Sequence, residues 1–279
     1  MNIRVAKESG FCYGVEGALE IVEKAVDGTS GPVHTYGPLM HNPMVVEDLE
    51  KKGVSVVSDP SEVDDGTVVI RAHGVPTSVV RDLEARGVTV LDGTCPFVLK
   101  THRLASRLED EGRRIVVIGD PKHPEVIGVV GHLKSSDAIV VNGVEEALAL
   151  PRLGKVGVVV QSTKIPEQVE RVVEALLARS DDVKVCRTLC GVVTRAQDDA
   201  RALAAEVEVM IVIGGETSSN TKKLVEICRE RCPRVVHVER PEEIDAAYFR
   251  QFTEVGVTAG TSTPKSIIED VVERLRTVV

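Results

Sequence analysis

The chain lacks tryptophan and is poor in the other aromatic residues, with four phenylalanines and three tyrosines among 279 residues. Proteins stack nucleobases and sugars on aromatic side chains, so ligand recognition by stacking is disfavoured. Basic residues are also outnumbered, because 34 Lys and Arg stand against 43 Asp and Glu and the net charge is −9. This balance argues against nucleic acid or an anionic membrane as a partner, although it leaves room for a local cationic pocket.

Long apolar runs are missing as well. No stretch approaches the roughly 18 apolar residues of a membrane-spanning helix, and the opening residues MNIRVAKESG contain no apolar segment of a secretory signal. We therefore expect a cytoplasmic protein, in which six cysteines are thiols or metal ligands and not disulfides. The content of 43% hydrophobic and 28% charged residues is that of an ordinary globular protein.

Three cysteines, Cys12, Cys95 and Cys190, divide the chain into near-equal thirds. Cys95 lies 83 residues after Cys12, Cys190 lies 95 residues after Cys95, and 89 residues follow Cys190. Each stands in a loop directly before an amphipathic helical pattern, and a helix N-terminus stabilises the thiolate that binds metal. The spacing predicts three similar lobes that each send one thiolate to a common centre. Because three thiolates leave one iron of a cubane cluster open, this count favours a catalytic iron-sulfur cluster.

A second pattern recurs six times: a short Val/Ile-rich strand, a polar loop with Gly or Pro, and a helix. The loops read TYGPLMHNP, RAHGVP, GDPKHPEV, QSTKIP, GGETSSN and AGTSTP. Continuous apolar runs before several of them, such as VMIVI before GGET, are typical of parallel strands buried on both faces. Ligands of parallel α/β sheets bind beyond the C-terminal ends of the strands. We therefore expect the loops and the thiolates to face one central cavity.

The predicted fold class is α/β, with three similar α/β lobes around a central cluster cavity. Each lobe combines one cysteine-helix unit with two strand-loop-helix units. The predicted lobes are residues 13–95, 96–189 and 190–279, joined by an N-terminal segment, 1–12, that carries Cys12.

The remaining cysteines allow a different metal site. Three residues separate Cys186 from Cys190, and three separate Cys228 from Cys232, which permits a four-thiolate zinc site. Such a zinc site leaves Cys12 and Cys95 without a role. Cys228 also lies on the apolar stripe of its helix, which predicts a core position.

Three histidines lie in the recurrent loops: His41 in HNP, His73 in AHG and His123 in KHP. Their similar placement indicates a shared role in binding a ligand. The other histidines are predicted to be surface residues: His34, His102, His132 and His237.

Hydroxyl and amide side chains lie at two helix starts. Ser218, Ser219 and Asn220 open one helix, and Ser262 precedes another. Together with the loop histidines they form a ring of donors suited to a phosphate or diphosphate. The alternative for the serine cluster is a helix N-cap without a ligand.

Glu125 lies two residues after His123, at a helix start, and is the predicted proton donor. An anionic carboxylate is disfavoured near a cluster and a diphosphate, so we expect the pKa of Glu125 to be raised. The alternative is a carboxylate that caps the helix. Ser162, in the QST loop, is predicted to relay a proton or to orient a hydroxyl group of the substrate.

The segments around these residues resemble the 4-hydroxy-3-methylbut-2-enyl diphosphate reductase family. The matching segments are GFCYGV, GPLMHNPMVVEDLEKKGV, RAHGVP, DGTCP, HPEVIG, QST, SSN and TAGTSTP, in the family's order over nearly the whole chain. The resemblance implies a pseudo-threefold α/β trefoil around a 4Fe-4S cluster held by Cys12, Cys95 and Cys190. It also implies that Glu125 supplies protons, that Ser162 stands where the family usually has Thr, and that the diphosphate is bound by His41, His73, His123, Ser218, Ser219, Asn220 and Ser262.

The implied reaction is a two-electron reductive dehydroxylation that yields isopentenyl and dimethylallyl diphosphate, the last step of the non-mevalonate isoprenoid pathway. The sequence has no GxGxxG motif after a strand, so electrons must come from a partner, for which a ferredoxin or a flavodoxin is expected. We expect a monomer that binds neither nucleic acid nor a membrane.

One segment departs from the family pattern. Val192, Val193 and Ala196 stand where the family typically has Ala, Thr and Arg, while Gln197 is retained. This departure leaves Cys190 credible as a ligand and changes its surroundings. Two alternatives stay open: a related iron-sulfur enzyme for another allylic or phosphorylated alcohol, and a non-catalytic iron-sulfur or zinc protein.

Overall fold

The computed structural model describes residues 1–135 and 137–277. The chain forms two compact units. The first unit contains Met1–Glu16, Met40–Lys51 and the chain from Gly191 onward, and the second contains Gly17–Leu39 and Lys52–Cys190.

Helices and strands alternate along the chain, as the recurrent strand-loop-helix pattern predicts. Short 3-10 turns also lie at Pro60–Glu62 and Pro241–Glu243. In chain order the elements are β1 (Asn2–Val5), α1 (Tyr13–Gly28), β2 (Val33–Tyr36), α2 (Pro43–Lys51), β3 (Val54–Val57), β4 (Thr67–Ile70), α3 (Thr77–Ala85), β5 (Thr89–Asp92), α4 (Pro96–Asp110), β6 (Arg114–Ile118), α5 (Pro124–Val130), β7 (Ile139–Val141), α6 (Val144–Leu148), β8 (Leu153–Val160), α7 (Pro166–Arg179), β9 (Ser180–Val185), α8 (Gly191–Ala204), β10 (Val209–Ile213), α9 (Ser219–Arg229), β11 (Val235–Val238), α10 (Ala246–Phe249), β12 (Glu254–Ala259) and α11 (Lys265–Arg276).

The described residues form three four-stranded parallel sheets, which confirms the α/β class with three similar repeats. The second unit holds the sheets β3-β2-β4-β5 and β7-β6-β8-β9, and the first unit holds β11-β10-β12-β1. The strand order is the same in all three. In the last sheet the fourth position is taken by the N-terminal strand, whose Val5 lies opposite Val257. The chain therefore completes its third sheet with its first strand.

The inner strands are the ones that the apolar runs predict. All residues of β4 and of β10 are buried, because helices cover both faces of a parallel sheet. The outer strands β5 and β9 are mostly exposed or half-buried. Their weak apolar pattern explains why the sequence does not predict them as strands.

Cys228 lies in the core of the first unit, as predicted. Its side chain is 0% exposed and packs in a cluster that includes Met210 and Val212. Burial raises the pKa of the Cys228 thiol to about 12, and the nearby Cys232 adds to this effect. The Cys232 thiol donates to the main-chain carbonyl of Arg234 at 3.2 Å. Because the Cys228 side chain packs among apolar neighbours and the Cys232 thiol is bonded to a main-chain carbonyl, the structure disfavours the four-thiolate zinc site.

The prediction that His102 is a surface residue is wrong. The residue lies in α4 and is 3% exposed. Tertiary packing overrides the usual preference of histidine for partly exposed positions. Within the part of the chain that the structure describes, no helix combines the length and apolar character needed to span a membrane.

Candidate functional site

Each repeat holds its cysteine by the same main-chain hydrogen bond. The N–H of Cys12 donates to Thr261, that of Cys95 to Ala72, and that of Cys190 to Ser162, at 3.3, 3.0 and 3.0 Å. Each accepting carbonyl lies two residues beyond the end of the third strand of its repeat, which is β12, β4 or β8. The fold therefore ties every cysteine to the loop that carries a predicted ligand-binding residue.

The three cysteines share a placement that suits metal ligation. Helix α1 begins one residue after Cys12, α8 begins one residue after Cys190, and Cys95 is the N-cap of α4. All three are partly exposed, in contrast to Cys228. Thiolates at helix N-termini are stabilised by free N–H groups, and thiolates are the usual ligands of iron-sulfur clusters. The donor set therefore fits a cluster held by three protein ligands.

In the second unit Glu125 is hydrogen-bonded to Ser162, in the loop whose carbonyl accepts from the Cys190 N–H. The carboxylate accepts from the Ser162 N–H and from the Ser162 hydroxyl, each at 2.7 Å. Among the described residues, these two are the hydrogen bonds of the Glu125 side chain. Neither comes from a main-chain N–H of α5, so the carboxylate does not cap this helix, as the alternative interpretation supposes. Because the Ser162 carbonyl accepts from Cys190, Ser162 connects the predicted acid to a predicted metal ligand.

Burial controls the protonation of Glu125, which is 2% exposed. It raises the pKa of the carboxyl above its ordinary value, and the two hydrogen bonds from Ser162 oppose this rise. The direction is the one expected from the sequence. Burial is its cause in the structure, because an anion loses more hydration energy than a neutral acid.

His123 is the N-cap of α5 and is 8% exposed. Its Nδ1 accepts the N–H of Glu125 at 3.2 Å. A neutral ring with an accepting Nδ1 carries its proton on Nε2, so Nε2 is a hydrogen-bond donor. The ring of His73 lies edge-on to that of His123, with 5.4 Å between centroids. The second unit thus brings two of the predicted histidines together beside Glu125.

The first unit brings His41 next to Ser262. The Ser262 hydroxyl donates to the His41 carbonyl at 3.4 Å, and His41 Nδ1 lies 3.4 Å from the hydroxyl oxygen of Thr217. Asn42 fixes this contact, because its amide donates to the Ser262 carbonyl at 2.9 Å. The same side chain accepts from the N–H of Met44 and so caps α2.

The start of α9 carries the remaining predicted residues. Ser218 is the N-cap, and its hydroxyl accepts from the N–H of Thr221 at 3.2 Å. Asn220 donates to the Thr261 hydroxyl at 3.4 Å. Its Oδ1 is buried and has no hydrogen-bond partner among the described residues. A buried polar atom without a partner is costly, which supports a ligand at this helix start.

Two positions recur relative to the strand ends. His41, His123 and Ser218 each follow the last residue of β2, β6 or β10 by five. The residue that follows the end of β4, β8 or β12 by three is His73, Thr163 or Ser262, respectively.

Sequence reasoning missed Thr163 as a candidate. It also missed the positioning role of Asn42, which lies inside the quoted HNP segment. Thr163 can be identified by aligning the six loops at the ends of the strands that precede them, because it then occupies the same position as His73 and Ser262.

The structure divides the predicted residues between the two units. Within each unit it brings them to the loops beyond the strand ends. The first unit carries Cys12, His41, Ser218, Ser219, Asn220 and Ser262, and the second carries His73, Cys95, His123, Glu125, Ser162 and Cys190.

The atypical segment after Cys190 lies on the packed face of α8. Val193 is 5% exposed and Ala196 is 1% exposed, whereas Val192 is half-buried. Two of the three atypical positions are therefore buried.

The chain is similar to proteins of known activity over almost its full length. A family model described as LytB protein matches residues 3–276. The 4-hydroxy-3-methylbut-2-enyl diphosphate reductase of Geobacter sulfurreducens is 44% identical over 276 residues, which cover 99% of this chain and 97% of the relative.

Two solved structures are similar as well. One is described as the structure of (E)-4-hydroxy-3-methyl-but-2-enyl diphosphate reductase, the terminal enzyme of the non-mevalonate pathway. It has 39% identity and a TM-score of 0.72, and the match covers 99% of this chain and 100% of that one. A reductase from Plasmodium falciparum, at 24% identity and a TM-score of 0.88, shares the fold over 97% of this chain and 86% of its own.

Proposed function

This chain belongs to the LytB protein family, and we propose that it reduces 4-hydroxy-3-methylbut-2-enyl diphosphate to isopentenyl and dimethylallyl diphosphate, the last step of the non-mevalonate isoprenoid pathway. The observation that carries the proposal is the connection from Glu125 through Ser162 to Cys190. It links a buried acid, through one intervening residue, to a residue suited to bind iron. Proton delivery beside a redox centre is what a reductive dehydroxylation requires.

Cys12, Cys95 and Cys190 would hold a 4Fe-4S cluster. Their common main-chain hydrogen bond and their helix-start positions support this assignment. When bound, such a cluster would supply electrons and one iron without a protein ligand.

The diphosphate would be held by neutral donors and helix N-termini. His123 offers its Nε2–H because Nδ1 accepts from Glu125, and α9 offers the main-chain N–H groups of its first turn. Histidine and hydroxyl donors account for anion binding by a chain whose net charge is −9. The residues assigned to the diphosphate are His41, His73, His123, Ser218, Ser219, Asn220 and Ser262.

Glu125 would donate the proton that converts the departing hydroxyl group to water. Burial keeps this carboxyl protonated to a higher pH than an exposed glutamate. Overall, the carbon–oxygen bond breaks, the substrate takes up two electrons and two protons, and water leaves. The second proton can add to either end of the allylic unit, which accounts for two products. Ser162 would orient the carboxyl and the substrate hydroxyl.

The electrons would come from a ferredoxin or a flavodoxin.

The cytoplasmic location and the monomeric state expected from the sequence stay predictions.

Anaerobic reconstitution tests the proposal. Iron and sulfide are quantified, and the oxidation of reduced methyl viologen is followed after addition of the diphosphate substrate. We expect a four-iron cluster and substrate-dependent oxidation in the wild type, with a Glu125→Gln variant as the control. A four-iron cluster without turnover would favour another allylic alcohol as substrate. Zinc without sulfide would overturn the cluster assignment.

A further inference from the structure

His102 is a buried imidazole for which the proposed reaction provides no role. It lies on α4, seven residues after Cys95, and is 3% exposed. Neither ring nitrogen has a hydrogen-bond partner among the described residues. Because buried polar groups without partners are costly, a purely structural position would favour an apolar side chain.

The ring of His102 packs against two glycines that belong to the site segments of the second unit. A Cβ atom added to Gly74 would lie 2.9 Å from His102 Cε1, and one added to Gly128 would lie 3.3 Å from Nε2. Gly74 directly follows His73, and Gly128 lies one turn after Glu125 in α5. The imidazole therefore contacts both the His73 loop and the Glu125 helix; a Cβ atom at Gly74 would clash with the ring, and one at Gly128 would press on it.

A second imidazole stacks on the first. The rings of His102 and His132 have centroids 3.9 Å apart and are inclined by 27°. The His132 Nδ1 lies 2.8 Å from the Gly128 carbonyl at the end of α5. The same helix is thus held on its glycine face by His102 and at its C-terminus by His132.

The histidine pair lines a cavity of about 200 Å³. Val75, Val90 and Leu99 form part of its apolar wall, and the carboxylates of Glu84 and Asp92 add polar groups. Such a volume holds several water molecules. Both His102 nitrogens are buried and lack a partner among the described residues, so a water bound at the edge of this cavity, against the ring, is the partner that remains.

His102 stays neutral in this environment. Burial, with a smaller effect of His132, lowers its pKa to about 3. A neutral ring can donate from one nitrogen and accept at the other.

We propose that His102 is a positioning residue. Its ring, hydrogen-bonded to water in the adjoining cavity, fixes the positions of the His73 loop and of the Glu125 helix relative to α4, the helix that Cys95 caps. The inference rests on the proposed function. It extends the site to a residue outside the sets assigned to the substrate and to the cluster.

Two substitutions of similar size separate this role from simple packing. His102→Leu fills the space without polar atoms, whereas His102→Gln keeps a donor and an acceptor. Iron content, melting temperature, kcat and KM are measured for each, with rates expressed per cluster. Thr101→Val is the matched control, because Thr101 is buried in the same helix and its hydroxyl donates to the Phe97 carbonyl of that helix.

We expect His102→Leu to bind iron normally and to melt near the wild-type temperature, because leucine is apolar and of similar size and leaves no large cavity. Its kcat/KM should fall at least about tenfold (~1.4 kcal/mol), and His102→Gln should recover most of the loss. Wild-type kinetics in His102→Leu, or an equal loss in both variants, would overturn the proposal. A wild-type enzyme without turnover would instead contradict the proposed function.

Gly128→Ala keeps the experiment decisive should the leucine variant not fold. Alanine favours a helix interior over glycine, so stability should be kept, while the new methyl group presses on the His102 ring. We expect kcat/KM to fall severalfold at normal iron content. Unchanged kinetics in this variant would overturn the positioning role.

Discussion

Both carboxylate oxygens of Glu125 accept hydrogen bonds from Ser162, one from its main-chain N–H and one from its hydroxyl group. The two donors stabilise the anion, whereas burial stabilises the neutral acid. Burial is the larger effect, and the pKa of Glu125 is raised. The fraction of Glu125 that is protonated at a given pH therefore depends on the balance between burial and these hydrogen bonds. A single substitution can shift that balance.

Replacing Ser162 by alanine should raise the pKa of Glu125 further. The variant loses one of the two hydrogen bonds that favour the carboxylate and keeps the main-chain bond. If a protonated Glu125 is needed, the fall of kcat at alkaline pH should move to higher pH. The pH dependence of kcat checks this, with Ser162→Thr as the control that keeps the hydroxyl. A fall at the same pH in the alanine variant would contradict the role of Glu125 as the acid.

Glu125→Gln should lower kcat by about 10²–10⁴-fold, the range for loss of a general acid. Iron content should not change, since glutamine keeps the size of the side chain and is not a predicted ligand. Steady-state kinetics per cluster, together with iron analysis, test this. Turnover near the wild-type rate would remove Glu125 from the proton-donating role.

The same variant should change the dependence of stability on pH. The folded-state pKa of Glu125 lies above that of an unfolded chain, so the folded state holds its proton more tightly. This contribution to stability is complete below the unfolded-state pKa and is lost as pH rises through the folded-state pKa. Denaturation at several pH values should therefore show a smaller loss of unfolding free energy with rising pH in Glu125→Gln. Parallel curves for the two proteins would contradict this.

Cys95→Ser should lose most of the cluster iron and its visible absorption, because serine replaces a thiolate by a weaker ligand for iron. Cys186→Ser provides the control: it removes a partly exposed cysteine that belongs only to the alternative zinc site. Iron and sulfide analysis after identical reconstitution compares them. Full iron in Cys95→Ser, or loss of metal in Cys186→Ser, would reverse the assignment.

Asn42→Ala should destabilise the first unit by about 1 kcal/mol, the usual effect of removing an N-cap. It also removes the hydrogen bond to the Ser262 carbonyl, so KM should rise more than kcat falls. Urea denaturation and steady-state kinetics measure the two effects. Asn42→Asp keeps the cap acceptor and loses the amide donor, and it should restore stability without restoring KM.

Local patterns in the sequence predict the inner strands, the helix starts and the loop positions of the cysteines. The buried runs of β4 and β10 and the helices after Cys12, Cys95 and Cys190 follow from apolar periodicity and polar breaks, because these depend on residues close together in the chain. The core position of Cys228 follows from the same periodicity.

Tertiary structure decides what depends on distant residues. Strand β1 joins the last sheet through pairing with β12, and the exposed strands β5 and β9 have too weak a pattern to be predicted alone. His102 is buried because α4 packs against Gly74 and Gly128. By itself the sequence identified Glu125 as an acid from its position at a helix start. Its bonds to Ser162, 37 residues away, arise only when β8 and α5 are brought together, because hydrogen bonds between separate elements leave no local signal in the chain.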